Sequence, residues 1–161
     1  MESDMSDMPT EGSTAPDFTL PADGGGQASL ADFQGRTLVL YFYPKADTSG
    51  CTKQAQSFSA LKRVFAEAGA AVVSVSADPT AAHDKFKAKY GLDLALASDE
   101  SRKTLEDYGV WVEKSMYGKR YMGIERATFL IDKGGRIARV WRKVKVPGHA
   151  EEVLEAVKAQ A

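Results

Sequence analysis

"TLVLYFYPKADTSGCTKQAQ", residues 37–56, decides how this chain folds. Its first seven residues are an unbroken run of apolar, β-branched and aromatic side chains. That is the pattern of a strand buried on both faces of a covered sheet. Pro44 ends the run. Beyond "KADTSG" the period changes: Ala55, Phe58, Leu61, Phe65 and Ala68 recur at three- and four-residue spacing, while Lys53, Lys62, Arg63 and Glu67 fall off that stripe. The spacing predicts an amphipathic helix over 51–68, closed by Gly69. The junction between strand and helix carries Cys51, the only cysteine in 161 residues.

Working outward, "AVVSVSA" (71–77) reads as the next strand. Asp78 and Pro79 follow as an N-cap and a first-turn proline. Their helix runs to Tyr90, with Ala82, Phe86 and Tyr90 on one face, and Gly91 stops it. "LALAS" (94–98) is a short strand and "ESRKTLEDYG" (100–109) a short helix. "YMGIERATFLID" (121–132) and "GRIARVWRKV" (135–144) read as two antiparallel strands around a "KGG" turn. "GHAEEVLEAVKAQA" (148–161) closes the chain as a helix with Ala150, Val153, Leu154 and Val157 inward. Upstream, "APDFTL" (15–20) and "QASL" (27–30) flank "PADGGG" as a hairpin, and "ADFQG" is a helical turn. The order β-α-β-α-β-α, then β-β-α, implies an α/β domain with a mixed central sheet and helices on both faces. It resembles the thioredoxin-like fold, preceded by an N-terminal hairpin extension.

A chain of this length suggests one domain, which buries roughly 70% of its unfolded surface. Residues 1–11 are acidic and polar and read as a disordered tail; the domain is 12–161. The start lacks the positive and apolar regions of a signal peptide, and no apolar run approaches the ~20 residues of a membrane span. A cytoplasmic protein without a membrane partner is expected. With 21 basic and 22 acidic residues the net charge is −1, which argues against a nucleic-acid partner. One cysteine excludes an internal disulfide and fits a reducing compartment. Two histidines and scattered acids give no metal-ligand spacing. "DGGG" precedes no helix, so it is not read as a phosphate loop.

Cys51 has two readings from its residues alone. It is either a small buried hydrophobe, as lone cysteines usually are, or a nucleophile. A free thiol is only about 3% ionised at pH 7, so a nucleophilic cysteine needs a setting that favours the anion. The first turn of a helix is such a setting, because orphan N–H groups and the positive end of the macrodipole meet there. Gly50 leaves the loop bare beside the sulfur. Thr48, three residues earlier, can turn its hydroxyl to the same place or cap the turn. Pro44 sets the loop's departure and shields one side.

The spacing Pro44-x-x-x-Thr48-x-x-Cys51 in "YFYPKADTSGCT" resembles the active-site segment of peroxiredoxins, thiol peroxidases of the thioredoxin fold. "APDFTL", "VVSVSAD", "RATFLID" and "GRIARVWRKVKVPGH" are similar to the bacterioferritin-comigratory-protein or peroxiredoxin Q subgroup, and the likeness spans about residues 12–158. The resemblance implies that Cys51 is the peroxidatic cysteine, whose thiolate attacks the terminal peroxide oxygen. It implies that Thr48 contacts the peroxide, that Arg126 stabilises the thiolate and the departing oxygen, and that Pro44 shields the site. It implies hydrogen peroxide and organic hydroperoxides as substrates, with no cofactor.

The sequence departs from the subgroup in three places. A resolving cysteine commonly stands five residues after the first, where Gln56 is found, or in the next helix near Phe86, where Lys87 stands. With neither, the expected route is a one-cysteine cycle in which a Cys51 sulfenic acid is recycled by thioredoxin, glutaredoxin or a low-molecular-weight thiol. A non-enzymatic redox sensor or a binding module on the same fold is the alternative. Ser49 replaces a proline that commonly precedes Gly50, which bears on the rigidity of the loop. Monomer and homodimer are both compatible with the sequence. His83, His149, Trp111 and Trp141 read as structural, and "RKVKV" (142–146) as a solvated strand end.

Overall fold

Along residues 37–42 every side chain is buried, and successive ones must point to opposite faces of a strand. Leu38, Leu40 and Phe42 enter one apolar cluster, Val39 and Tyr41 the other. This run, β3, is therefore the centre of the fold. The computed structural model describes residues 8–160. Residues 1–7 of the expected tail lie outside the described residues. Met8 packs against the core, and Gly12 N–H donates to Ile137 O at 2.7 Å.

The strands are β1 (Thr19–Pro21), β2 (Gln27–Ser29), β3 (Thr37–Phe42), β4 (Ala70–Ser76), β5 (Ala95–Ser98), β6 (Trp111–Met116), β7 (Lys119–Ile124), β8 (Ala127–Ile131) and β9 (Ile137–Trp141). The helices are α1 (Ser49–Glu67), α2 (Thr80–Tyr90), α3 (Lys103–Asp107) and α4 (His149–Gln160). The central sheet has the order β5-β4-β3-β8-β9. β3 runs parallel to β4 and antiparallel to β8, so the sheet is mixed as expected. β1 and β2 form the expected N-terminal hairpin, which lays Phe18, Leu20 and Ala28 with Leu105 and Tyr108 on one sheet face. α1, α2 and α4 supply Phe58, Phe65, Phe86, Val153 and Val157 to the other. Phe58 stacks on Tyr41 with ring centroids 4.6 Å apart, a pair worth about 0.5–1.5 kcal/mol beyond its burial.

Two expectations are corrected. Residues 121–132 are not one strand. Residues up to Ile124 belong to β7, which pairs with β6 in a separate two-stranded ribbon, and the chain enters the central sheet only at Ala127. The break comes at Glu125, whose N–H leaves the ribbon to donate to Val110 O at 2.8 Å. Nor does Asp78 cap α2. Pro79 occupies the cap position without a side-chain bond, because Asp78 Oδ2 is already taken by Ala46 N–H and the Ser76 hydroxyl, each at 2.7 Å.

Candidate active site

The helix predicted from residue 51 begins two residues earlier, at Ser49, after Thr48 at the cap. Its first intrahelical bond is Thr52 N–H to Thr48 O at 2.8 Å. The N–H groups of Ser49, Gly50 and Cys51 therefore precede the ladder, and the dipole's positive end points where they do. Cys51 sits in that turn, 2% exposed, its sulfur set against the cluster that holds Tyr41 and Phe58. The thiol is thus both buried and at the helix terminus, so the two readings of the sequence meet in one residue.

Arg126 comes to it from the segment between β7 and β8. Its Nη2 donates to Cys51 Sγ at 3.3 Å and its Nη1 to Gln54 Oε1 at 2.5 Å. The guanidinium is thereby held at two points, with one edge on the sulfur. Glu125, the neighbour that could have claimed it, pairs instead with Arg142 through two bonds of 3.1 Å. Gln54, which the sequence reading passed over, is 1% exposed and its Nε2 has no partner. Its signal was available: positions 51, 54, 55 and 58 share the inward stripe of α1, and a polar residue on such a stripe needs a reason.

Thr48 Oγ1 donates to Lys45 O at 2.9 Å. The hydroxyl closes the turn, and its oxygen keeps lone pairs with which to accept a hydrogen bond. The loop from Pro44 to Thr48 is held from the far side by α2 and the end of β4. Asp47, at φ 63°, receives the Tyr90 hydroxyl at 2.5 Å and Lys89 Nζ at 2.9 Å. Asp78 holds Ala46 N–H. These bonds tie the loop to α2 and to the end of β4.

Both histidines are buried. His83 is enclosed by Tyr43, Ser76 and Ser98 at 2.6–2.9 Å, and burial holds its pKa below the usual value. His149 faces Thr128 Oγ1 at 2.8 Å; burial lowers its pKa to about 4, and the charge of Arg126 pushes the same way against that of Glu152. Trp111 and Trp141 are half-buried against the core. Among the described residues no three His, Cys, Asp or Glu side chains gather as a metal-binding group, and no helix is long and apolar enough to cross a membrane.

Residues 12–140 match the AhpC/TSA family. The chain belongs to that family. Among its peroxiredoxin relatives, the Bcp protein of Coxiella burnetii is 50% identical over 143 residues, 89% of this chain and 95% of that one. Peroxiredoxin Bcp of Bacillus subtilis is 47% identical over 147 residues, 91% and 94% of the two chains. A solved structure of the Xanthomonas campestris bacterioferritin comigratory protein, whose alkyl peroxide reduction activity was the subject of that work, superposes with a TM-score of 0.87 at 43% identity, covering 93% of this chain and 98% of that one. This peroxiredoxin is thus a thiol-dependent peroxidase on a thioredoxin-like fold, and it carries a single cysteine.

Proposed function

We propose that Cys51 is the peroxidatic nucleophile of this peroxidase and that Arg126, Thr48 and Pro44 shape its reaction with hydrogen peroxide and organic hydroperoxides. The observation that carries the reading is the 3.3 Å contact from Arg126 Nη2 to the sulfur. The Cys51 thiolate attacks the terminal oxygen. An S–O bond forms as the O–O bond breaks, Cys51 becomes a sulfenic acid, and negative charge grows on the departing hydroxide or alkoxide. Donors already aimed at that charge lower the barrier without reorganisation. The permanently charged guanidinium of Arg126 and the open N–H groups at the start of α1 are such donors. Thr48 Oγ1, whose own O–H donates to Lys45 O, accepts a hydrogen bond from the peroxide's terminal O–H and so favours the protonated substrate. Pro44 shields the loop side.

With no second sulfur, the sulfenic acid is reduced from outside, by thioredoxin, glutaredoxin or a low-molecular-weight thiol, in the cytoplasm and in a monomer or homodimer. Cys51→Ser should abolish peroxide consumption in a thiol-coupled assay. Intact-mass spectrometry should find one added oxygen on the wild-type chain after one equivalent of peroxide. An unchanged rate in the variant overturns the reading.

A further inference from the structure

We propose that the cavity walled by Arg126 is a carboxylate-binding subsite that brings in the reductant, a small thiol bearing a carboxylate. The proposal rests on the peroxidase reading above and adds the chemistry of its second substrate. The cavity measures about 510 Å³ and is lined by Val112, Lys114, Arg126, Arg142, Lys143 and Val144, with Glu113 and Glu125. That volume suits a small ligand. Arg126 is the shared wall, since the same guanidinium touches the Cys51 sulfur. Val144 N–H donates to Arg126 O at 3.0 Å and fixes that wall to the segment after β9.

The lining carries four cations and two acids. Glu125 is held by Arg142. Glu113 is 3.9 Å from Arg120, out on the ribbon. Among the described residues neither Lys114 nor Lys143 has a carboxylate within 4.0 Å. Lys114 is half-buried and stretched across Gly123, where a β-carbon would meet its Cδ at 3.3 Å and the Tyr121 ring at 3.4 Å. Burial, and after it the charge of Arg126, hold its pKa below the usual lysine value. Lys143 is held in the left-handed region at φ 48°, a conformation that non-glycine residues rarely adopt. Four cations against two acids leave the lining two positive charges in excess, and an anion among them relieves that repulsion.

The ligand is assigned to the reductant because the chain supplies no resolving sulfur and because Cys51 is only 2% exposed, within reach of a small thiol. Chemically, the thiol sulfur attacks the Cys51 sulfenic sulfur; the S–O bond breaks, and the hydroxide leaves as water with the thiol's proton. A second thiolate then attacks the mixed disulfide, releasing the Cys51 thiolate and an external disulfide. Two electrons pass from two thiols to the sulfenic sulfur.

Two paired rate ratios test this, each internally normalised. The first compares mercaptoacetate with 2-mercaptoethanol in reducing the Cys51 sulfenic acid, corrected for thiolate content. The second compares iodoacetate with iodoacetamide in alkylating reduced Cys51, and needs no peroxidase activity. Both anion-to-neutral ratios should fall about tenfold in Lys114→Gln and in the exposed Lys143→Glu, with Lys114→Arg restoring the wild-type value. Ratios unmoved in both variants overturn the subsite. A fall in the alkylation ratio alone overturns its role toward the reductant. A fall in that ratio in a chain whose Cys51 peroxide does not oxidise upholds the anion site and defeats the peroxidase reading instead.

Discussion

A β-carbon on Gly50 would stand 3.3 Å from Nη2 of Arg126, the nitrogen that donates to Cys51 Sγ. Arg126 cannot give way freely, since its other nitrogen is bound to Gln54. Alanine suits an α-helix better than glycine by up to about 1 kcal/mol, and the crowding at Arg126 offsets that gain. Gly50→Ala should therefore leave thermal stability little changed while slowing sulfenic acid formation several-fold. Parallel calorimetry and stopped-flow oxidation read the two effects; a variant as fast as wild type would show that the guanidinium has room to spare.

Gln54→Leu removes the second anchor of Arg126 and, with it, a buried amide nitrogen that has no partner. Losing the charge-assisted bond costs stability; losing the unpaired donor returns some of it. The variant should fold with a small change in melting temperature yet react with peroxide about tenfold more slowly. Gln54→Glu, which keeps an acceptor for Nη1, should recover most of the rate. Equal losses in the two variants would mean that Gln54 acts only through packing.

Stability should decline on mild acidification because of His149. Its pKa is about 4 in the fold against 6.5 when unfolded. Between those values the unfolded chain binds more protons, so the contribution is complete above pH 6.5 and is lost as pH falls toward 4. For this group alone the native state should be about 2 kcal/mol less stable at pH 5 than at pH 7. His83, lowered in the same sense, steepens the trend. Urea melts of wild type and His149→Gln at the two pH values isolate the term; identical pH slopes would remove His149 from the account.

Asp78→Ala releases Ala46 N–H and the Ser76 hydroxyl together. A buried donor left without its acceptor costs about 1–3 kcal/mol. The loop from Pro44 to Thr48 should loosen, with amide exchange at Ala46 accelerating more than exchange in the core of β3. Uniform acceleration across the domain would instead mark Asp78 as a global stabiliser.

How far these sites were legible follows from whether their partners are local. The period switch from residues 37–42 to 55–68 placed β3, α1 and Cys51 between them, because both patterns are set by neighbours in the chain. Asp78 looked like a helix cap for the same reason, and that reading failed because its carboxylate serves Ala46, 32 residues away. The break inside 121–132 was hidden because Ile124 and Ala127 are both buried; only the distant carbonyl of Val110 turns the chain between them. Arg126 is legible only through the resemblance of the cysteine segment and "RATFLID" to peroxiredoxins, whereas Gln54, which holds it, carries no motif and is marked only by its place on the inward stripe of α1.

Lys87 stands where related chains often place a resolving cysteine, and here it is a clasp. Its Nζ lies 2.6 Å from Asp23 Oδ2 in the N-terminal hairpin, while Asp23 Oδ1 receives Leu96 N–H. Burial raises the Asp23 carboxyl, but these bonds outweigh it and keep the group below its ordinary value. Grafting a sulfur at 87 would strand that carboxylate at the seam between α2, the hairpin and β5. A resolving sulfur at 87 would therefore need residue 23 neutralised in the same step, a demand that the exposed Gln56 position on α1 does not make.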